Sequence, residues 1–520
     1  MSREGSEIRS WSDSFRTWMQ PKAIAMLFLG FSAGIPLLLI FSTLSVWLRE
    51  AGVDRAAVTF FSWAALAYSF KFLWAPIIDM LPLPFLTRRL GRRRAWLIIA
   101  QCCIIIAILW MASIDPAKNP KDLTLMAMAA VLLGFSSASQ DVVIDAYRIE
   151  SAELSLQALL SSMYIAGYRM GMLVAGAGSL FLADFIGGNS GYSYHAWQIT
   201  YMAMAAIMGC GLITTLCVAE PDDSRYLNRH SYSAREYLRF VMVFIFVMLA
   251  FALTFFKAGS GVAELSKNFP LFFLAEGKIG AFFIEILRFG LAVTVGFLVA
   301  CGFVKIGLVD KEMVTRAYYA PIRDFFIRYS GKTAGLILVL IGCYRLSDIV
   351  LGVVSNVFYL DMGYSKTVIA GITKSFGLGM TLAGGFLGGL LTIRFGLQKI
   401  LFLGASLSVA THLLFMLLAA AGKNITLLTL VIGADNLSAG IATTAFVAFL
   451  SSLTSVSFTA VQYAIFSSMM TLLPKMVGGY SGTMVSGLGY EKFFLMTALL
   501  GIPVLFLILV VQRLLGAVRK

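Results

Sequence analysis

Charged residues are scarce in this sequence: Asp, Glu, Lys and Arg make up 13% of its 520 residues, whereas 59% are hydrophobic. Soluble globular chains carry roughly 25% charged residues, so this composition excludes an ordinary soluble protein. The apolar residues form many continuous runs of about 20 residues, the length that a transmembrane helix needs. Outer-membrane barrels would instead show short segments of alternating hydrophobicity. We therefore predict an all-α protein that crosses the membrane many times.

Cysteine and histidine are also rare. The six cysteines all fall in apolar runs, and neither they nor the three histidines show the spacing of a metal site or a disulfide framework. We therefore expect no metal and no cofactor. The polar loops are short and carry few pairs of acids, whereas membrane-embedded transferases place their catalytic acids or histidines on sizeable loops. A transferase is thus the least favoured interpretation, and we do not expect an enzyme.

Fourteen apolar runs are long enough to be helices, and twelve of them form two sets of six. The first set lies near 21–48, 56–80, 95–113, 123–147, 157–184 and 197–218, the second near 333–360, 366–392, 399–420, 425–454, 457–488 and 490–515, and two extra runs lie near 237–256 and 279–308. The predicted divisions are an interfacial segment at 1–20, an N-terminal six-helix half at 21–218, a cytoplasmic linker with two extra transmembrane helices at 219–332, a C-terminal six-helix half at 333–515 and a cytoplasmic tail at 516–520.

The formal net charge of +14 at pH 7 comes mostly from Lys and Arg in loops on the side of the N-terminus. Cytoplasmic loops of membrane proteins are enriched in these residues, so the positive-inside rule places both termini in the cytoplasm. Membrane topology thus explains the basic charge. We expect the protein to lie in a lipid bilayer and to bind no nucleic acid.

A short motif occurs after the second helix of each half. The C-terminal copy, GLLTIRFG at 389–396, resembles the G-x-L-a-D-r-x-G loop signature of the major facilitator superfamily, with Ile393 in place of the acid. The N-terminal copy keeps the acid as Asp79, but nine extra residues separate it from RLGRRR at 89–94. Parallel repeats of a six-helix unit are a property of this superfamily. The resemblance implies the major facilitator fold, here with two extra linker helices and 14 transmembrane helices in all.

Longer stretches resemble the AmpG muropeptide permease family. They are YSFKFLWAP at 68–76, SSASQDVVIDAY at 136–147, GYRMGML at 167–173, PIRDFF at 321–326, YRLSD at 344–348 and TTAFVAFL at 443–450. The resemblance implies a proton-driven transporter of the bacterial inner membrane that imports anhydro-muropeptides (GlcNAc-anhydroMurNAc peptides) from periplasm to cytoplasm. It further implies peptidoglycan recycling, with consequences for β-lactamase induction and antibiotic resistance in some bacteria. A monomer is expected.

The alternative within the same superfamily is a transporter of another anionic solute. Acetyl-CoA transporters are distant relatives of the AmpG family, so an acetyl-CoA-like substrate is one possibility and a siderophore is another. Transport of any of these would use the proton motive force in place of a cofactor.

Ionisable residues inside the predicted spans are candidates for the mechanism, because a charge at the bilayer centre costs ~2.5–3.5 kcal/mol even on lenient insertion scales. Asp141 and Asp145 are one turn apart on the predicted fourth helix and share a face. Two close carboxylates in a low dielectric do not both ionise cheaply, so we expect one of them to take up the coupling proton. Arg169 on the fifth helix is the expected countercharge. The alternative is a static salt-bridge triad that only joins the two helices.

Lys71 lies in the middle of the predicted second helix beside aromatic residues. A glycopeptide offers carboxylates to a cation and sugar faces to aromatic rings, so we predict that Lys71 contributes to a substrate site. The aromatic candidates for this site are Trp63, Tyr68, Tyr164 and Tyr168. The alternatives are an ion pair between Lys71 and a neighbouring acid, and ordinary helix packing by the aromatic rings.

The second half supplies further candidates for the substrate site, which are Arg345, Asp348, Lys374 and Asp435. Cations exceed acids in these spans, as binding of an anionic substrate would require, although Arg345 and Asp348 at a spacing of three could simply neutralise each other. Gln140 and Asn436 could hydrogen-bond the substrate or join helices. His412 stands alone in its span, so no histidine proton relay is expected.

The loops that carry the repeated motif suggest a cytoplasmic gate. Its candidate residues are Asp79, Arg89, Arg92 and Arg394. An acid at a helix end can contact an arginine or a helix N-terminus, and we expect this contact when the transporter faces outward.

Overall fold

The computed structural model describes residues 20–54, 61, 66–153, 156–188, 192–221, 232–268 and 278–518. The predicted interfacial segment at 1–20 therefore lies almost entirely outside the described residues, and so does Trp63. In the described part of the chain every regular element is helical. The predicted all-α fold is thus confirmed.

Twenty-two α-helices are described, numbered here in chain order. They are α1 Pro21–Ile40, α2 Ser42–Glu50, α3 Leu66–Phe70, α4 Ala75–Met80, α5 Leu86–Leu90, α6 Arg92–Ala112, α7 Pro120–Ser151, α8 Gln157–Leu173, α9 Ser179–Gly187, α10 Tyr194–Cys217, α11 Ala234–Asn268, α12 Lys278–Lys305, α13 Lys311–Val314, α14 Ala320–Tyr329, α15 Gly331–Cys343, α16 Leu346–Asp361, α17 Lys366–Ile369, α18 Gly377–Phe395, α19 Leu397–Ala421, α20 Ile425–Leu453, α21 Thr459–Gly478 and α22 Ser481–Val518.

Thirteen stretches of the described helices are long and apolar enough to cross a membrane. They correspond one to one to thirteen of the fourteen predicted spans. The remaining predicted span, near 56–80, is described from residue 66 onward, where it is divided into α3, a tight turn at Lys71–Leu73 and α4. Pro76 in the first turn of α4 explains the interruption, because proline lacks an N–H and disfavours helical geometry in the residue before it.

The chain forms two compact units. The first contains residues 1–225 and 324–520, and therefore both sets of six spans. The second contains residues 226–323, within the predicted linker. In this second unit α11 packs on α12: Phe246 lies 5.7 Å from Phe303 between ring centroids, and Arg288 Nη2 donates to the Phe255 carbonyl oxygen at 2.8 Å.

Glycine allows close approach of helices in both halves of the first unit. A Cβ atom added at Gly167 on α8 would overlap the backbone oxygen of Leu27 on α1, and one added at Gly384 on α18 would overlap that of Leu437 on α20. Backbones this close are typical of membrane helices, whose association depends on tight packing because lipid is as apolar as the helices themselves. These contacts hold α8 against α1 and α18 against α20, and both pairs border the polar clusters described next.

Candidate functional site

A polar cluster lies inside the N-terminal half. Lys71 Nζ, at the interruption between α3 and α4, is 3.7 Å from Asp145 Oδ2 on α7. Arg148 Nη2 is 3.2 Å from the other carboxylate oxygen of Asp145. Tyr164 on α8 donates its hydroxyl to Asp141 Oδ1 at 3.3 Å. Each of the four charged residues is at most 7% exposed, so two cations and two acids neutralise each other away from water.

The countercharge expected for these acids was assigned to the wrong residue. Among the described ion pairs, those to Asp145 come from Lys71 and Arg148, and none involves Arg169. Helix geometry explains the correction: five residues at 100° each place Arg169 about 140° around α8 from Tyr164, which faces α7. Arg169 is instead exposed, and within the described residues no hydrogen bond or ion pair to its guanidinium is found.

The C-terminal half contains a second polar cluster, centred on Asp348. Arg345 Nε, in the short interruption between α15 and α16, is 3.4 Å from Asp348 Oδ2. His412 Nε2 on α19 is 3.5 Å from Asp348 Oδ1. Thr411 donates to Asp435 Oδ1 on α20 at 3.2 Å. His412 therefore is not alone, as its sequence position suggested, but lies between two acids.

Arg345 and Arg169 approach each other across the two halves. Arg345 lies within electrostatic range of Arg169, and Thr443 on α20 contacts the Arg345 guanidinium. The side chain of Arg345 is 21% exposed, compared with 1% for His412 behind it. Two guanidinium groups of like charge repel each other, and an anionic group between them would relieve that repulsion.

Several other predicted substrate residues make helix-to-helix hydrogen bonds. Gln140 donates to Ser32 at 3.3 Å and is fully buried, and Tyr68 donates to Ser137 at 2.7 Å. Asn436 accepts from Thr381 at 2.8 Å. Tyr168 lies 5.9 Å from Tyr164 between ring centroids. These contacts fit the packing alternatives noted above, and the side chain of Lys374 lies outside the described residues.

A network of charges joins the two halves at the end where α4 meets α6. Arg93 Nη2 is 2.7 Å from Asp79 Oδ1 and 2.5 Å from Glu150 Oε1, and Arg92 Nη2 is 3.3 Å from the same Glu150 oxygen. The other carboxylate oxygen of Asp79 accepts a hydrogen bond at 3.1 Å from the backbone N–H of Val461, in the first turn of α21. Asp79 thus contacts an arginine of its own half and a helix N-terminus of the opposite half.

The network includes only some of the predicted gate residues. Asp79 and Arg92 belong to it, whereas Arg89 is an exposed residue of α5 and Arg394 stacks over the ring of Phe395 at 5.5 Å. Arg93 and Glu150 were not singled out from the sequence. Their signal was available, because Arg93 follows Arg92 and Glu150 lies on the same α7 as the two acids.

Arg148 is a third functional candidate that sequence reasoning missed, after Arg93 and Glu150. It is fully buried and donates to Ser161 on α8 at 2.7 Å and to Ser451 on α20 at 2.8 Å, while it also pairs with Asp145. Its guanidinium lies 5.2 Å from the ring centroid of Tyr463 on α21. One side chain therefore links the acid pair of the N-terminal half to the C-terminal half.

Comparison with curated proteins shows the family. The protein named AmpG 4 from Rickettsia conorii is 30% identical over 481 residues, which is 92% of this chain and 94% of that protein. The chain belongs to the AmpG transporter family. The anhydromuropeptide permease of Escherichia coli strain K12 is 28% identical over 98% of this chain and 83% of that protein. The resemblance found from the sequence motifs is confirmed, and the protein is a transporter in a membrane that it crosses many times.

Two further comparisons concern the fold and an adjacent family. The chain matches the solved structures of the FucP transporter in an outward conformation, with a TM-score of 0.59 and 14% identity over 95% of this chain and 99% of FucP, and of the proton:xylose symporter XylE, with a TM-score of 0.55 and 14% identity over 95% of each chain. Both confirm the major facilitator fold. The family model described as Acetyl-coenzyme A transporter 1 matches residues 23–189.

Proposed function

We propose that this transporter imports anhydro-muropeptides from the periplasm to the cytoplasm, driven by protons, in the bacterial inner membrane. The observation that carries the proposal is that Arg169 and Arg345, one from each half, lie within electrostatic range of each other, with Arg169 exposed and the Arg345 side chain 21% exposed. In this superfamily substrate binds between the halves. A muropeptide carries carboxylates that two guanidinium groups can hold through charge-assisted hydrogen bonds.

Proton coupling is assigned to the acid pair of α7. Asp145 has two cations, Lys71 and Arg148, whereas Asp141 has none within 4.0 Å among the described residues and accepts only from Tyr164. A buried carboxylate without a cation is more stable when it carries a proton. Asp141 is therefore the proposed proton carrier, and Asp145 the acid that holds the cluster together.

The closed end supports an outward-facing state. Asp79 and Arg148 both bond to the opposite half, and they lie at the end of the bundle that the distribution of Lys and Arg assigns to the cytoplasm. With the cytoplasmic end closed, substrate and protons reach the site from the periplasm. Both termini are then cytoplasmic.

The test is uptake of radiolabelled GlcNAc-anhydroMurNAc tripeptide into proteoliposomes with an acidic exterior. We expect accumulation that a protonophore abolishes. Arg169→Gln should weaken binding by about 10- to 100-fold, the equivalent of losing one hydrogen bond to a charged group at ~1.5–3 kcal/mol. Arg88→Gln, an exposed arginine of the cytoplasmic loop, is the matched control and should bind normally.

Acetyl-CoA is the second candidate substrate, because the acetyl-coenzyme A transporter model covers most of the N-terminal half. Its phosphates would also suit Arg169 and Arg345. Direct uptake of each labelled compound decides between the two: accumulation of acetyl-CoA without any accumulation of the tripeptide would overturn the proposed substrate.

A further inference from the structure

His412 has no part in the mechanism proposed so far, although its neighbour Arg345 does. His412 is 1% exposed and lies on α19, with Asp348 of α16 at 3.5 Å. Asp435 of α20 acts on it electrostatically, and the backbone of Thr497 on α22 also faces it. Burying an imidazole between two carboxylates favours its charged form if either acid is ionised. Such a position is suited to an imidazole that binds and releases a proton during the transport cycle.

Asp348 divides its two oxygens between competing cations. Oδ2 is 3.4 Å from Arg345 Nε, and Oδ1 is 3.5 Å from His412 Nε2. Ser408, one turn before His412, also lies near this carboxylate. If His412 is neutral, Arg345 is the only full positive charge acting on Asp348 among the described ion pairs. If His412 carries a proton, the acid has a second cation and holds Arg345 less tightly.

We propose that His412 is a second proton-binding site of this transporter, and that its protonation releases Arg345 from Asp348 to bind the anionic substrate. The proton enters from the space between the halves, binds the free ring nitrogen of the neutral imidazole, and leaves by the same route after the substrate. The partly exposed Asp348 and Arg345 line this route, since their side chains are 15% and 21% exposed. The inference rests on the proposed function, because Arg345 must be the residue that meets the anion.

The other titratable groups near the cluster do not replace His412 in this role. Tyr344 lies next to Arg345 and Asp348 and donates its hydroxyl to the Leu401 carbonyl, and Tyr359 lies near Asp435. Tyrosine hydroxyls lose their protons only far above physiological pH. Asp435 accepts a hydrogen bond from Thr411 and forms no ion pair among the described residues. It therefore acts on the imidazole electrostatically but does not hold Arg345, as Asp348 does.

Linkage fixes the sign of the effect. If protonation of His412 favours substrate binding, then bound substrate must raise the protonated fraction of His412 by the same factor. Substrate affinity should fall as pH rises, by up to about tenfold per pH unit for one linked proton. A purely structural histidine would show neither effect.

The chain has three histidines, so NMR of protein labelled in the histidine ring can follow His412 directly. Its signal is the one absent from His412→Gln. We expect the signal to titrate with pH, and the protonated fraction at a fixed pH to rise on addition of GlcNAc-anhydroMurNAc tripeptide and to fall in Asp348→Asn. A His412 signal that does not titrate, or that ignores both substrate and Asp348→Asn, overturns the proposal.

Binding measurements provide the second arm. The affinity of the wild-type protein for the tripeptide should weaken as pH rises, whereas the affinity of His412→Gln should lose most of this dependence. His195→Gln, at an exposed histidine on α10, is the matched control and should behave as wild type. A wild-type protein whose His412 titrates normally but which binds no tripeptide would contradict the proposed substrate rather than the proton site. An unchanged pH dependence in His412→Gln would contradict the proton site alone.

Discussion

Asp141 and Asp145 lie one turn apart on α7, but their surroundings differ. Asp145 is held by Lys71 and Arg148, whereas Asp141 receives only the hydroxyl of Tyr164. Replacing Asp145 would leave two buried cations without a partner, and breaking a buried pair costs about 3–5 kcal/mol. Asp141 forms no ion pair within 4.0 Å among the described residues, so its replacement breaks no such pair. The two acids should therefore respond differently to the same substitution.

The first prediction compares Asp141→Asn with Asp145→Asn. Asp141→Asn should keep its thermal stability and exchange substrate across the membrane, yet lose accumulation against a gradient because no proton is carried. Asp145→Asn should lower Tm and reduce the amount of folded protein. Counterflow and acid-driven uptake in proteoliposomes, with melting curves of both variants, measure these outcomes. Protonophore-sensitive accumulation by Asp141→Asn would place the coupling site elsewhere.

The sequence could predict which residues of the acid pair share a face, but not all of their partners. The spacing of four between Asp141 and Asp145 determines their common side of α7. Arg148 lies so close to the predicted end of that helix that counting charges assigns it to the loop. To predict which way Arg169 faces, one must know the rotation of α8 about its own axis. That rotation depends on how Gly167 packs against α1. Partners across helices depend on such packing, which a single sequence does not show.

At the scale of the helices, small residues determine how closely the elements approach. Gly167 on α8 has the Leu27 backbone directly against it, whereas Gly335 on α15 has open space within 4 Å of an added Cβ. The same one-carbon change should thus have opposite consequences at the two positions. At Gly167 the helices must separate, and Tyr164 on the same helix would move away from Asp141.

The second prediction is that Gly167→Ala destabilises the protein by about 1–3 kcal/mol, the usual cost of overpacking. Gly335→Ala should be neutral or slightly stabilising, because alanine is the better helix former by roughly 1 kcal/mol. The two variants are compared by thermal unfolding in detergent, in which the fraction of monodisperse protein is measured as the temperature rises. Equal melting temperatures for both variants would show that α8 can shift without loss, contrary to the close contact with α1.

Helix interruptions were only partly predictable. Pro76 signals the break that leaves Lys71 in a tight turn, because proline cannot continue the hydrogen-bonding of the preceding helix. The break at Arg345 has no proline or glycine beside it, although its backbone departs from helical values, with φ −99° and ψ 5°. The Arg345 side chain contacts Asp348, which the spacing of three predicts, and Thr443 on α20, a contact that is known only once the helices are packed.

At the scale of the whole molecule, the repeated motif correctly indicated two halves, and the charge network at Asp79 provides one contact between them. Arg92, Arg93, Asp79 and Glu150 balance one another in charge, and Asp79 extends to the opposite half through Val461. Removing this carboxylate leaves the arginines paired with Glu150 while it breaks the contact to α21. The equilibrium between outward and inward states should shift accordingly.

The third prediction is that Asp79→Asn opens the cytoplasmic end. Spin labels at residues 88 and 457, one exposed position on each half near that end, should move apart, since the inward state gains population when the outward state loses a contact. Pulsed dipolar spectroscopy in a background without the six native cysteines measures the distance. Asp184→Asn, an exposed acid on α9, is the control. An unchanged distance distribution in Asp79→Asn would show that this contact does not maintain the closed end.

The fourth prediction concerns the second unit, residues 226–323. Every residue assigned here to substrate, proton or gate belongs to the first unit, which contains both sets of six spans. Alternating access in this superfamily moves two six-helix halves about a central site, so the extra helix pair is not required to build that site. Replacing residues 237–308 with a flexible linker removes two crossings and keeps both termini on the same side. Tripeptide affinity should remain within about threefold, which corresponds to less than ~1 kcal/mol.

The deletion is informative only if the shortened chain binds the tripeptide at the same site as the full chain. The Arg169→Gln substitution provides that control. Introduced into the shortened chain, it should weaken binding by the same factor as in the full chain, because effects at independent sites add. Lower expression of the shortened chain would not affect this ratio, since affinity is measured on folded protein. A well-inserted deletion that binds no tripeptide, or in which Arg169→Gln has no effect, would show that residues 237–308 help to form the substrate site, and the assignment of that site to the twelve core helices would then be wrong.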